Sequence, residues 1–177
     1  LIGARAKEIF FTSCGTEANN HAIKGIAFRN LEKGEKGHII VSAAEHFSVW
    51  YVVRRLQRWG WDVTYVPVDS YGMVDPDDVK KSIKRETILI SIQLANGEVG
   101  TIQPIEEISK IAREHDIVFH SDAVAAAGYM PIDVDQLGVD LLSISGNQFY
   151  GPKGTGALFI RKGVKIIPLL DGGAQED

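Results

Sequence analysis

Five short polar clusters contain residue types able to hold a ligand or move a proton: Ser13-Cys14-Gly15-Thr16, Glu45-His46, Asn96-Gly97-Glu98, Asp122 and Ser145-Gly146-Asn147-Gln148. In the first, small residues precede a helical stretch. They let the backbone approach a ligand, and the free N–H groups of a helix start favour an anion such as phosphate. The plainer reading is a helix start capped by Thr16 with nothing bound. His46 is either structural or a flat ring that can stack on a planar aromatic group. Asp122 ends an apolar run, where an isolated carboxylate is costly to bury. A protonated ring nitrogen would keep it ionised; a helix cap or surface position would need no ligand. Asn96 can donate to a phenolate oxygen or close a turn with Gly97, and Ser145 can bind phosphate or cap the loop after it. The nucleotide fingerprints G-x-x-x-x-G-K-S/T and G-x-G-x-x-G are absent, and Gly151-Pro152-Lys153-Gly154 lacks their spacing.

The elements that must position these clusters alternate between two periodicities. Ile9-Phe10-Phe11 is short and apolar, and Thr16 to about Lys33 places Ala18, Ala22, Ile23, Ile26, Ala27 and Leu31 on one helical stripe. His38–Ser42 reads as a buried strand, 48–59 as a helix with an apolar face, and 62–68 as a strand closed by the turn Asp69-Ser70-Tyr71-Gly72. Asp75-Pro76 opens the next helix, as N-cap and first helical position. The run 87–94 is nearly continuous in apolar residues, as in a strand buried on both faces. A helix over 104–115, a strand over 117–121 and further strands over 141–145, 156–160 and 166–170 complete the pattern. Repeated β-α-β alternation predicts an α/β fold, one mostly parallel sheet with helices on both faces. In such sheets ligands sit beyond the carboxyl ends of the strands, and each polar cluster follows a strand.

The 177 residues, 45% hydrophobic and 24% charged, suit one packed domain. A net charge of −4 argues against nucleic acid as a partner. No apolar run approaches the ~20 residues of a membrane span, and no basic-then-apolar leader is present. The single cysteine, Cys14, excludes an internal disulfide framework and a multi-thiolate metal site. It fits a reducing compartment, and the cytoplasm is the expected location. The sequence opens at Leu1 and stops at Asp177, just after Gly172-Gly173. It is therefore expected to be an internal segment of a longer protein.

The order of the clusters carries a resemblance that none carries alone. The stretch from Phe11 through Gly15-Thr16-Glu17-Ala18-Asn19-Asn20 to Gly25 resembles a segment of the cysteine desulfurases, in the class V aminotransferase group of fold type I pyridoxal-phosphate enzymes. Glu45-His46, the run Asn96 to Pro104, His120-Ser121-Asp122-Ala123, Ser145-Gly146, the run Tyr150 to Leu158 and Gly172-Gly173-Ala174-Gln175-Glu176 follow in the family's order. The resemblance implies that 1–177 is the large cofactor-binding domain, lacking an N-terminal segment and a C-terminal small domain. It implies pyridoxal phosphate as cofactor. Gly15, Thr16 and Ser145 would hold its phosphate, His46 would stack on its ring, Asn96 would contact the ring hydroxyl, and Asp122 would pair with the ring nitrogen. It further implies L-cysteine as substrate, alanine and an enzyme persulfide as products, an iron–sulfur scaffold protein as partner, and a homodimer at full length.

The same comparison exposes departures. The family's Ser-Gly-His-Lys, whose lysine forms the Schiff base, reads Ser145-Gly146-Asn147-Gln148, and a glutamine that usually follows the aspartate by three positions is Ala125. An amide nitrogen has a delocalised lone pair, so Gln148 cannot form an imine or shuttle a proton. Cofactor binding is then expected to be non-covalent or weak. Lys153 and Tyr150 are near in sequence, but loop structure is their plainer role. Cys14 stands where relatives have glycine, and the family's nucleophilic cysteine would lie beyond Asp177. The alternative is a non-catalytic scaffold that docks an iron–sulfur assembly partner.

Overall fold

A computed structural model describes residues 1–173. Seven strands form one sheet: β1 (Ile9–Thr12), β2 (His38–Ser42), β3 (Asp62–Val66), β4 (Thr87–Ser91), β5 (Val118–Asp122), β6 (Leu141–Ser145) and β7 (Gly156–Ile160), in the spatial order β1-β7-β6-β5-β4-β2-β3. Neighbours from β3 to β6 pair parallel, whereas β7 runs antiparallel to both β6 and β1. The expected mostly parallel α/β sheet is thus present, with a reversal at β7.

Alternation of side chains across the pleat splits the core in two. Ile39, Val41, Leu89, Leu141, Leu158 and Ile160 meet helices α1 (Gly15–Glu32) and α2 (Phe47–Arg58) on one face. Ile40, Ile90, Phe119, Leu142, Ile144 and Phe159 meet α3 (Pro76–Ser82), α4 (Ile105–Glu114) and α5 (Val134–Leu137) on the other. All residues of β2, β6 and β7 are buried, which explains their continuous apolar reading. Helix starts obey local chemistry. The Asp75 carboxylate accepts from Asp77 N with Pro76 behind it, and Asp133 accepts from Asp135 N and Gln136 N. Among the described residues no helix is long and apolar enough to cross a membrane.

Two expectations need correction. The stretch 166–170 forms no strand and pairs with none of the seven. It lies along α1 instead: Ile167 N donates to Gly25 O at 3.1 Å and Arg29 Nη1 to Lys165 O at 2.7 Å. Gly25 makes room, since a Cβ there would come within 2.8 Å of Ile166 Cβ. Leu31 is 42% exposed, so the apolar stripe of α1 ends a turn earlier than its sequence suggested.

Candidate functional site

The carboxyl ends of the strands open into a cleft of ≈ 1080 Å³ whose walls include Gly15, Thr16, Glu45, His46, Asn96, Asp122, Ser145, Asn147 and Gln148. A cavity of ≈ 460 Å³ at the opposite end of the sheet, near Thr87 and Val118, takes in none of these. The residues singled out in the sequence therefore share one site, although they come from loops after β1, β2, β4, β5 and β6. Of the motif Gly172-Gly173-Ala174-Gln175-Glu176, residues 174–176 lie outside the described residues. Lys153 and Tyr150 do not line the cleft.

The α1 end is shaped by close backbone packing. Thr12, Gly156 and Ser145 pair in one row across β1, β7 and β6. A Cβ on Gly156 would lie 2.7 Å from the Cys14 carbonyl carbon, so glycine lets the turn into α1 rest on the sheet beside Ser145. Gly15 is confined in turn: its Cβ would meet Val124 Cγ2 at 2.4 Å. Cys14 is extended at the N-cap and no side chain caps the helix, contrary to a capping role for Thr16, so the first N–H groups of α1 are offered to the cleft. Ser145 Oγ donates to Asn147 Oδ1 at 2.6 Å, which pins the short 3-10 turn Gly146–Phe149 that carries Gln148.

The floor is a hydrogen-bonded chain. Asp122, buried at the end of β5, accepts from Val124 N at 2.9 Å and from Asn19 Nδ2 at 2.6 Å. The other hydrogen of Asn19 Nδ2 goes to Ser48 Oγ at 2.8 Å. Ser48 Oγ in turn lies 2.7 Å from His46 Nδ1, which also accepts from Ser48 N at 3.1 Å. A backbone N–H can only donate, so the neutral His46 ring carries its proton on Nε2. Burial raises the Asp122 carboxyl above its ordinary value; the bonds from Val124 and Asn19 and the nearby His46 oppose that shift.

A second carboxyl sits in the same wall. Glu45 Oε1 accepts from Ser42 Oγ at 2.6 Å and Gln93 N at 2.9 Å, while Oε2 has no partner. Burial pushes Glu45 up to about 8, the bonds from Ser42 and Gln93 oppose this, and the charge of Asp122 adds to it. Asn96 Oδ1 accepts from Glu98 N and Val99 N, and one hydrogen of Nδ2 goes to Ala44 O at 3.1 Å. One Nδ2 hydrogen remains for a ligand.

Reasoning from sequence missed Asn19, Ser48 and the isolation of Glu45. Asn19 left a signal: a polar residue on the apolar stripe of α1, beside Ala18 and Ala22. Among the described residues no group of three or more His, Cys, Asp or Glu could hold a metal ion. The N–H donors of the α1 start suit a phosphate, and the acceptor oxygens of Asp122 suit a protonated ring nitrogen. Among the described residues no lysine lines the cleft to anchor an aldehyde.

Comparisons with known proteins bear on the family and the fold. A family model described as aminotransferase class-V matches residues 1–177. A protein named cysteine desulfurase IscS from Dictyoglomus turgidum is 59% identical over 176 residues, covering 99% of this chain and 44% of the relative. One of the same name from Methanosarcina thermophila is 60% identical over 175 residues, covering 99% and 43%. The chain thus spans less than half the length of these relatives. Among solved structures, one described as SspA in complex with cysteine superposes with a TM-score of 0.94 at 45% identity, covering 99% of this chain and 50% of that one. A NifS-like protein superposes with a TM-score of 0.92 at 44% identity, covering 99% and 48%.

Proposed function

The chain belongs to the aminotransferase class-V family, and from that premise we propose that it is the large cofactor-binding domain of a cysteine desulfurase-like protein. In this reading the whole protein binds pyridoxal phosphate and takes sulfur from L-cysteine, leaving L-alanine and a persulfide on a cysteine thiol. The observation that carries it is the meeting of Gly15, Thr16, His46, Asn96, Asp122 and Ser145 at one cleft, beside relatives named for the activity.

Bound there, the cofactor would supply a protonated ring that withdraws electrons from the substrate's α-carbon. The chain's own residues do the rest. The α1 start offers N–H donors to the phosphate, and the Ser145 hydroxyl would have to turn from Asn147 Oδ1 to add another. Asp122 stabilises a proton on the ring nitrogen, since a buried carboxylate gains most from a cationic partner. Asn19 fixes that carboxylate and, through Ser48, the His46 ring. Asn96 has a hydrogen to give the ring hydroxyl. Gln148 orients by hydrogen bonds only; it holds no proton to deliver.

By family, the protein would be a homodimer in the cytoplasm that hands sulfur to an iron–sulfur scaffold protein. A second reading is favoured by one observation, the lack of a lysine along the cleft among the described residues: a non-catalytic scaffold that docks an iron–sulfur assembly partner. One assay separates the two. Purified protein is incubated with pyridoxal phosphate and L-cysteine, and alanine is quantified. Alanine formation that is abolished by Asp122→Ala supports the desulfurase; cofactor retained with no alanine formed supports the scaffold.

A further inference from the structure

A serine hydroxyl has a single hydrogen to give, and at Ser145 it is already given. Ser145 ends β6, is 4% exposed and lines the cleft. A Cβ on Gly15 would lie 3.4 Å from Ser145 Cβ, so this side chain stands at the α1 start. Its hydrogen goes to Asn147 Oδ1 at 2.6 Å. Lone pairs are then all that Ser145 Oγ can show to a ligand. A phosphate monoester, whose second pKa is about 6, is a pure acceptor above that pH. The N–H groups of the α1 start suit it, and the hydroxyl as bonded does not.

The Asn147 amide sets this mismatch. It is exposed on the cleft wall, within the turn Gly146–Phe149. The backbone of that turn is also held on its own account. Gly146 N donates to Thr155 O at 2.9 Å, and Gly146 O accepts from Gly151 N at 2.8 Å. The Asn147 side chain can therefore be removed with the turn in place.

We propose that Asn147 is a positioning residue that holds the Ser145 hydroxyl away from the ligand's phosphate, so that Ser145 can donate to a phosphate at the α1 start only by breaking the Ser145–Asn147 bond. The inference rests on the cofactor-binding reading above and deepens it, by naming the residue that limits the phosphate affinity of the cleft. Asn147 and the phosphate compete because one hydrogen cannot serve both. An amide turned the other way would have the opposite effect: Nδ2 would donate to Ser145 Oγ and leave the hydroxyl hydrogen for the ligand. The two arrangements differ in the sign of one substitution.

The experiment is calorimetric titration of the purified protein, stripped of bound cofactor, in a buffer free of phosphate. The probes are pyridoxal 5′-phosphate and pyridoxal, which lacks the phosphate. Asn147→Ala is expected to bind pyridoxal phosphate about fivefold more tightly, the scale of one neutral hydrogen bond. Pyridoxal should show no such gain. In a Ser145→Ala background the gain should vanish, because no hydroxyl is left to release. A merely structural role for Asn147 would shift both ligands alike and would not depend on Ser145. Pyridoxal phosphate bound equally or more weakly by Asn147→Ala, or a gain that persists without Ser145, overturns the proposal. Pyridoxal phosphate that still binds in that case leaves the cofactor-binding reading standing. Binding by neither the parent protein nor Asn147→Ala overturns both.

Discussion

His120 and Asp122 lie two residues apart on β5, on the same face of the sheet, and both are buried. His120 is in the middle of the sheet, its Nδ1 2.8 Å from Ser91 Oγ on β4 and its Nε2 3.0 Å from Ser143 Oγ on β6. Burial pushes it down to about 3, so the ring stays neutral, and hydroxyls that can both donate and accept meet both nitrogens. Asp122 is at the carboxyl edge. Each oxygen has a partner, but both retain lone pairs, and the nearest chain around it, from Asn19 to His46, ends at the cleft. Burial of a polar group therefore does not distinguish a working residue from a structural one. What distinguishes the edge is bonding capacity that the protein leaves unspent beside open space.

The comparison can be broken at several points. The largest effect is expected at the edge: Gln148→Lys should raise alanine formation from cysteine on the order of 10³-fold, the scale of a positioned proton-transfer group, measured as initial rates with pyridoxal phosphate present. In the middle of the sheet, His120→Ala should cost roughly 2–4 kcal/mol in urea denaturation, by leaving a cavity and two hydroxyls short of a partner. Ligand affinity in the surviving folded protein should be unchanged; a tenfold loss would mean that the interior and the edge are one unit. Asp122→Asn should do the reverse, weakening cofactor binding by about tenfold, or about 1.4 kcal/mol, while the denaturation midpoint moves little.

Glu45 sharpens the contrast through pH. Its folded value stands at about 8 against an ordinary 4.5, so above pH 4.5 the folded protein keeps a proton that the unfolded chain releases. This group's contribution is greatest below that pH, and stability falls by up to about 1.4 kcal/mol per pH unit until about 8. Glu45→Gln, which keeps the shape of the protonated acid, should flatten that slope; an unchanged pH profile of the denaturation midpoint would show that Glu45 does not titrate in this range. The smallest effect belongs to the surface. Lys84 and Asp62 meet at 2.5 Å, yet their side chains are 42% and 50% exposed, and Lys84→Ala should cost less than about 1 kcal/mol.

Much of this arrangement was legible in the residues. Strands and helices showed through because apolar runs and helical stripes are set by local periodicity, and the position of His46, Asn96, Asp122 and Ser145 after strands led to the carboxyl edge. What escaped was set by contacts distant in sequence. The bond from Asn19 to Asp122 spans helix and sheet, and Glu45 is isolated by the way Ser42 and Gln93 close around one of its oxygens. The stretch 166–170 has the composition of a strand but packs on α1 beside Gly25, a contact that no local pattern contains.

The pairing of β1 with β7 has a consequence for how the molecule is made. Ile9 lies opposite Phe159 and Thr12 opposite Gly156, so within this sheet β1 waits for β7, the strand farthest from it in sequence, before it has a neighbour. The turn that presents Gly15 and Thr16 rests on that late strand. That corner of the cleft therefore cannot be assembled until residues 156–160 have been made, and loop-closure entropy over so long a span makes it late relative to the rest of the sheet. Early in translation α1 and β1 are expected to remain exposed to protease, and an added cofactor should bind a nascent chain only after residues 156–160 have emerged.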